Sequence, residues 1–333
     1  MTATAPAGGL ALDPDRNLAL ELVRATEAAA MSSARLVGRG DKNRVDQAAV
    51  DAMRPVLGSV GMSGVVVIGE GEKDAAPMLF NGEQVGNGSD PEVDIAVDPI
   101  DGTTAAAKGL PDAISVVGLS ERGTMFDPGP CVYMHKLVVP TDAADSVDPE
   151  APVADILSAV ARAVGKQPAD LTVAVLDRPR HTDLMAEIRA TGAAVRSLLD
   201  GDVAGAIAVG QPDSGVDLLM GVGGTPEGVI AACALRCSEG AMFGRLQPRD
   251  EEERRAALDF GHDLDRILTT TDLVSGGDVF FAATGVTGGA LLPGVRFQPA
   301  SVVTWSLSMR SRSGAIRLIQ TRHDRSRSNL ISH

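Results

Sequence analysis

Aromatic side chains are scarce in this 333-residue chain, which has one Trp, one Tyr and seven Phe. Single-stranded nucleic-acid sites stack bases on aromatic faces, so few platforms of that kind are available. Basic residues are outnumbered as well, 30 Lys and Arg against 44 Asp and Glu, for a formal net charge of −14. Nucleic-acid affinity depends on neutralising phosphates with Lys and Arg, so no nucleic-acid partner is expected. Cysteine is limited to Cys131, Cys233 and Cys237. Three is an odd number and too small for a disulfide framework. Cys233 and Cys237 stand four apart on an expected helix, but no second Cys or His pair has matching spacing. They read as buried core thiols, in keeping with a reducing cytoplasm. No apolar run is long enough to cross a membrane. The Ala- and Gly-rich start, Met1 to Leu12, lacks the basic n-region of a signal peptide and is expected to be disordered.

What is present is ordinary globular material, 44% hydrophobic and 22% charged, enough for a sizeable core in one large domain or two joined lobes. Asp13-Pro14 is a good helix opening, and Leu18, Leu22, Ala25, Ala29 and Leu36 recur at helical spacing up to Gly38 or Gly40. A second helix is expected from about Asp46 to Leu57, ending near Pro55. Val65–Ile68 and Val93–Val97 read as strands. Ile114–Leu119 and Met134–Val139 read as further strands, with a turn at Arg122-Gly123. The acidic stretch from Pro140 to Pro152 is the expected lobe boundary. An N-terminal lobe of residues 13–145 would then precede a C-terminal α/β lobe of residues 146–333. In the latter, helices at Val153–Val164, Asp183–Thr191, Val203–Val209 and Pro226–Ser238 alternate with strands at Leu171–Leu176, Ala194–Leu199 and Val216–Met220. Such alternation predicts a layered α/β arrangement. The basic residues between Arg310 and Arg327 read as a solvated end, or as a contact for an anion or a partner subunit.

The chemistry lies in where the acids fall. Glu70 follows a strand in Ile68-Gly69-Glu70-Gly71-Glu72. Asp98 and Asp101 follow another in Asp98-Pro99-Ile100-Asp101-Gly102-Thr103. Glu227 opens a helix in Gly223-Gly224-Thr225-Pro226-Glu227-Gly228. Ligands bind at the strand ends of α/β sheets, and carboxylates are hard oxygen donors suited to Mg²⁺ or Mn²⁺. Any one of these acids taken alone reads equally well as a helix cap or a solvated side chain. Four at separate strand ends point to a cation site.

The Asp-Pro-Ile-Asp-Gly-Thr segment, with a Gly-Glu motif upstream, resembles the lithium-sensitive phosphatase superfamily. Gly38-Arg39-Gly40-Asp41-Lys42-Asn43, Tyr133-Met134-His135-Lys136-Leu137, Pro179-Arg180-His181, Asp200-Gly201-Asp202-Val203 and the Gly223–Gly228 segment narrow the resemblance. They are similar to the class II, bacterial type of fructose-1,6-bisphosphatase, in order from about Asp13 to Gln320. Four features depart from the pattern: Thr104-Ala105-Ala106-Ala107, Arg44-Val45 ahead of Asp46, Asp101 where some members have Glu, and Arg178 where Lys is common.

The resemblance implies a sugar-phosphatase fold of alternating helix and sheet layers in two lobes. It also implies two or more Mg²⁺ or Mn²⁺ ions per site, held by Asp46, Glu70, Asp98, Asp101 and Glu227, with the Ile100 carbonyl as a backbone ligand. Asp46 and Thr103, with Glu70, would orient and activate the attacking water; Asp46 reads alternatively as a helix N-cap. Glu72 would be a supporting or weaker ligand. The amides of Gly102, Thr103 and Thr104, beside Asp101, would take the scissile phosphate. Arg178 and Arg180 would take a second phosphate. Tyr133, Asp200 and Asp202 would contact the sugar. Tyr133 reads alternatively as a core or interface residue, the two acids as turn residues and the neighbouring His181 as structural. The implied activity is hydrolysis of the 1-phosphate of fructose-1,6-bisphosphate in gluconeogenesis, by a cytoplasmic homodimer or homotetramer. Sedoheptulose-1,7-bisphosphate, or another sugar or inositol phosphate, is the alternative substrate.

Overall fold

The computed structural model describes residues 17–70, 79–211 and 214–327; the expected helix opening at Asp13-Pro14 and the acid Glu72 lie outside them. In chain order the helices are α1 (Leu18–Ala34), α2 (Lys42–Ser59), α3 (Thr103–Lys108), α4 (Thr141–Ala144), α5 (Val153–Ala163), α6 (Thr182–Ala190), α7 (Val203–Val209), α8 (Thr225–Leu235), α9 (Glu251–Phe260) and α10 (Thr270–Leu273). The strands are β1 (Ser63–Ile68), β2 (Gln84–Val85), β3 (Glu92–Asp101), β4 (Ile114–Glu121), β5 (Tyr133–Pro140), β6 (Thr172–Leu176), β7 (Ala194–Leu198), β8 (Leu218–Gly224), β9 (Gly240–Leu246), β10 (Leu268–Thr269), β11 (Phe280–Gly285), β12 (Arg296–Phe297), β13 (Ser301–Arg310) and β14 (Ala315–Asp324).

Two mixed sheets form. The first runs β12-β13-β11-β4-β3-β1-β2, with β14 also paired to β13, and the second runs β10-β9-β5-β8-β6-β7. Alternation of side chains along a strand assigns each face. Val93, Ile95, Val97, Val117, Leu119, Phe280 and Ala282 pack with α1 and α2 on one side of the first sheet. Their neighbours Ala96, Val116, Phe281 and Ala283 face α7, α8 and the inner face of the second sheet. Leu137, Val139, Val173 and Val175 pack outward onto α5 and α6. The result is a five-layer α/β sandwich, helix–sheet–helix–sheet–helix. Its central helices α7 and α8 are apolar nearly all round because both sheets cover them.

The two sheets do not divide the chain at residue 145. β5 already belongs to the second sheet, and β11 to β14 return to the first. The turn at Arg122-Gly123 leads out of β4, but β4 and β5 lie in different sheets and do not pair. The second helix starts earlier and ends later than expected, running from Lys42 to Ser59 with Pro55 inside it. Burial of Val56 and Leu57 beyond the proline outweighs the lost hydrogen bond. The strand expected at Val216–Met220 lies later, continuing to Gly224. The basic C-terminal stretch is solvated, as expected, with Arg312, Arg317, Arg322, Arg325 and Arg327 exposed, but it is not irregular. It is the long β13–β14 hairpin, with Arg310 buried and paired to Asp278 at 2.8 and 2.5 Å. All three cysteines are buried and unpaired, as expected. Burial pushes the Cys237 thiol up to about 12 and the Cys233 thiol higher still. Among the described residues no helix is long and apolar enough to cross a membrane.

Candidate active site

The ends of β1 and β3 and the first turns of α2, α3 and α8 converge on a cleft of about 340 Å³. Its lining includes Asp46, Glu70, Asp98, Thr103, Asp200 and Glu227, so most of the sequence-predicted acids meet there. The acids arrive by different local devices. Asp41 caps α2 by accepting from the Arg44 amide. Asp46 is therefore not a cap. Lys42 and Asn43, four and three residues before it, share its face at the start of the helix.

Asp98 and Asp101 are three apart, which in a regular strand would place them on opposite faces. Opposite them on β4, however, stand Val116 and Ile114, only two apart. The extra residue is absorbed as a bulge at Pro99-Ile100, and both acids come to one side. The Asp98 carboxylate is oriented by the Ile100 amide, which donates to Oδ1 at 2.9 Å. Gly102 then turns the chain at φ +90° into α3. The Thr103 hydroxyl donates to the Ile100 carbonyl at 3.0 Å.

Glu227 sits in the first turn of α8, which follows β8 directly through Gly223-Gly224. A Cβ on Gly223 would lie 2.0 Å from Asp202 Oδ2, so only glycine leaves room for that carboxylate.

Charge is concentrated here. Burial raises the Asp98 pKa well above the carboxylate range, helped by the charges of Asp101, Glu70, Glu227 and Asp46. Burial, then Asp202, Glu227 and Asp200, raises Asp101, against the pull of Lys136. Burial and Asp202 raise Glu227, again opposed by Lys136. Asp101 Oδ2 and Glu227 Oε2 are buried with no hydrogen-bond partner. Among the described residues no three Asp, Glu, His or Cys side chains already enclose a single point. The donors nonetheless fit a divalent cation in kind. They are all oxygen, they raise one another's pKa values, and two of their buried atoms lack a partner that a hard cation would supply.

These shifts fix a sign. A carboxyl whose pKa is higher folded than unfolded binds more protons in the folded state, so its contribution to stability is lost as pH rises above its unfolded value. His135 and His181, both held low chiefly by burial, act in the opposite sense, losing stability as pH falls below about 6.5. Subtracting the curve of an Asp98→Asn variant removes the histidine contribution. In chelator, wild-type stability relative to that variant is expected to fall as pH rises from about 4, by up to about 1.4 kcal/mol per pH unit. Urea titrations across pH measure it, and a flat difference would contradict the shared field at Asp98.

The other expected residues divide into groups. Asp200 bridges the sheets: Oδ2 accepts from the Thr104 amide and Oδ1 from Arg178, both at 2.8 Å. One of the three amides expected to cradle phosphate is thus engaged by a carboxylate. Arg178 also donates to the Leu199 carbonyl at 2.7 Å. Arg180 points elsewhere, donating to the Val222 carbonyl at 2.8 and 3.2 Å and stacking 5.2 Å from the Tyr133 ring centre. His181 is buried and structural, its Nδ1 2.7 Å from the Leu176 carbonyl and its Nε2 accepting from the Val222 amide. Asp202 does not line the cleft; both its oxygens accept from buried Lys136, at 3.0 and 2.8 Å.

Lys42, Asn43, Thr104 and Lys136 had been given no role as side chains. Lys136 had a signal: on an alternating strand it lies between Met134 and Val138, both inward-facing, so its own side chain had to point inward too.

A helix–sheet–helix–sheet–helix sandwich carrying a DPIDGT turn and a carboxylate-rich cleft defines a phosphomonoester hydrolase of the sugar-phosphatase type. The family model described as bacterial fructose-1,6-bisphosphatase, glpX-encoded, matches residues 16–323, and this chain belongs to that family. It is 43% identical over 321 residues to the class 2 fructose-1,6-bisphosphatase 1 of Escherichia coli (strain K12), covering 92% of this chain and 95% of that protein. The identity and coverage are the same against the class 2 fructose-1,6-bisphosphatase of Shigella flexneri.

Proposed function

We propose that this protein hydrolyses the 1-phosphate of fructose-1,6-bisphosphate to fructose-6-phosphate and phosphate, as a step of gluconeogenesis. The observation that carries this reading is the carboxylate cluster around Asp98, in a cleft that also holds Asp200, the partner of Arg178. The family is metal-dependent, and Asp46, Glu70, Asp98, Asp101 and Glu227 are our candidates to hold two or more Mg²⁺ or Mn²⁺ ions. When bound, such ions supply Lewis acidity toward the phosphoryl oxygens and the attacking water.

The chain's own residues would do the rest. Thr103, held against Ile100, presents its hydroxyl oxygen as an acceptor that orients water for in-line attack. The free amides at Gly102 and Thr103 would receive the transferring phosphoryl group. Arg178 would receive the far phosphate, with Arg180 and Tyr133 bounding the sugar end. No protein nucleophile is needed, because phosphoryl transfer is mostly positioning and charge stabilisation.

Three free, buried thiols suit a cytoplasmic protein, and a homodimer or homotetramer is the expected assembly.

Phosphate release with Mg²⁺ or Mn²⁺ tests the reading. Fructose-1,6-bisphosphate should be strongly preferred over fructose-6-phosphate and inositol-1-phosphate, and chelator should abolish the reaction. Equal turnover of a monophosphate would return the assignment to the wider superfamily, and sedoheptulose-1,7-bisphosphate belongs in the same assay. A Thr103→Ala variant is expected to keep its metal and substrate affinity while kcat falls about 100-fold. Unchanged kcat would remove the role given to Thr103.

A further inference from the structure

The segment joining β7 to α7, Asp200-Gly201-Asp202, spans the boundary between the sheets. Its first residue is tied to the Thr104 amide in the first turn of α3, just after the DPIDGT segment, and to Arg178 beside the second sheet. Its glycine lies against Asp101, with a Cβ there only 2.7 Å from the carboxylate, and has φ +69°. Its last residue is 4% exposed and held by Lys136, which is 1% exposed. Lys136 comes from β5, and its Nζ lies 3.0 Å from where a Gly223 Cβ would be. A single ammonium therefore binds this segment and lies beside the strand end that leads into Glu227.

We propose that Lys136 is a positioning residue for bisphosphate recognition. Through Asp202 it fixes the Asp200–Asp202 segment, and so places Asp200 and Arg178 at a set distance from the DPIDGT turn that handles the scissile phosphate. A side chain that merely filled space would not need both Asp202 oxygens, and an isolated buried ammonium would not be tolerated without such a partner. The inference rests on the bisphosphatase reading and adds to it the residue that holds the two phosphate-handling halves in register.

The test compares kcat/KM for fructose-1,6-bisphosphate with that for p-nitrophenyl phosphate, which has no second phosphate, in wild-type protein, Lys136→Met, Asp202→Asn and the double variant. In both single variants the ratio of bisphosphate to p-nitrophenyl phosphate efficiency should drop by about tenfold or more, with the larger part in KM for the bisphosphate. Removing one buried partner also threatens the fold, and the double variant addresses this by leaving no unpaired buried charge. It should melt closer to wild type than Lys136→Met while keeping the lowered ratio. A parallel fall for both substrates, or a double variant with the wild-type ratio, would overturn the proposal. Wild-type protein that shows no bisphosphate preference would instead overturn the function on which it rests.

Discussion

Replacing Asp98 by Asn is expected to reduce kcat/KM for fructose-1,6-bisphosphate by about 1,000-fold or more, while raising the melting temperature of the metal-free protein by about 2 °C. Both effects have one origin. Asp98 is half-buried near the end of β3, and the charges of Asp101, Glu70, Glu227 and Asp46 all act against its ionised form. Without a cation, that repulsion destabilises the folded chain, and a neutral amide relieves it. With a cation, the same charge concentration favours binding, and an amide contributes far less than a carboxylate. Asn can still accept the Ile100 amide hydrogen bond through its carbonyl, so the bulge should persist and the substitution isolates charge from shape. Scanning calorimetry with chelator and with Mn²⁺ gives the second readout. Wild-type protein should gain stability on adding metal, and the variant should gain much less. Activity within tenfold of wild type would mean that the reaction does not pass through this cluster.

The second large effect is expected at Arg178. Truncation to Ala should lower kcat/KM for the bisphosphate about 100-fold, mainly through KM, because a charge-assisted contact to phosphate is lost. Arg178 also holds Asp200 Oδ1 and the Leu199 carbonyl, so truncation loosens the segment that reaches Thr104. Lys in its place keeps the charge but not the planar fork. Because Lys keeps the positive charge, Arg178→Lys is expected to retain activity within about tenfold. Steady-state kinetics on the three proteins checks the order. If Ala and Lys behave alike, the guanidinium serves Asp200 rather than substrate phosphate. Arg180 is a weaker candidate for the same task, because its guanidinium is already on the Val222 carbonyl and the Tyr133 ring.

Much of the fold was legible from local pattern. Strands such as Val65–Ile68 and helices such as Val153–Val164 lie close to their expected bounds because each carries its own periodicity. Boundaries failed where tertiary packing overrode a local signal. Pro55 did not end α2, and β8 ran past Met220 into Gly223 and Gly224. The glycines are there because Asp202 and Glu227 fill the space their side chains would take, and for Gly223 that constraint comes from a residue distant in sequence.

The sequence by itself determined the side-chain types on offer: oxygen donors at strand ends, a DPIDGT turn, two arginines around Pro179, and few aromatic or basic residues. Those are properties of side-chain type and spacing. Only the tertiary structure decided which groups share a site. The β3 bulge brought Asp98 and Asp101 to one side, and the return of β11 to β14 gave the first sheet strands from both ends of the chain. Lys136 was brought to Asp202 across 66 residues. Pairing of this kind depends on how two sheets pack over shared helices, and no local periodicity encodes that packing.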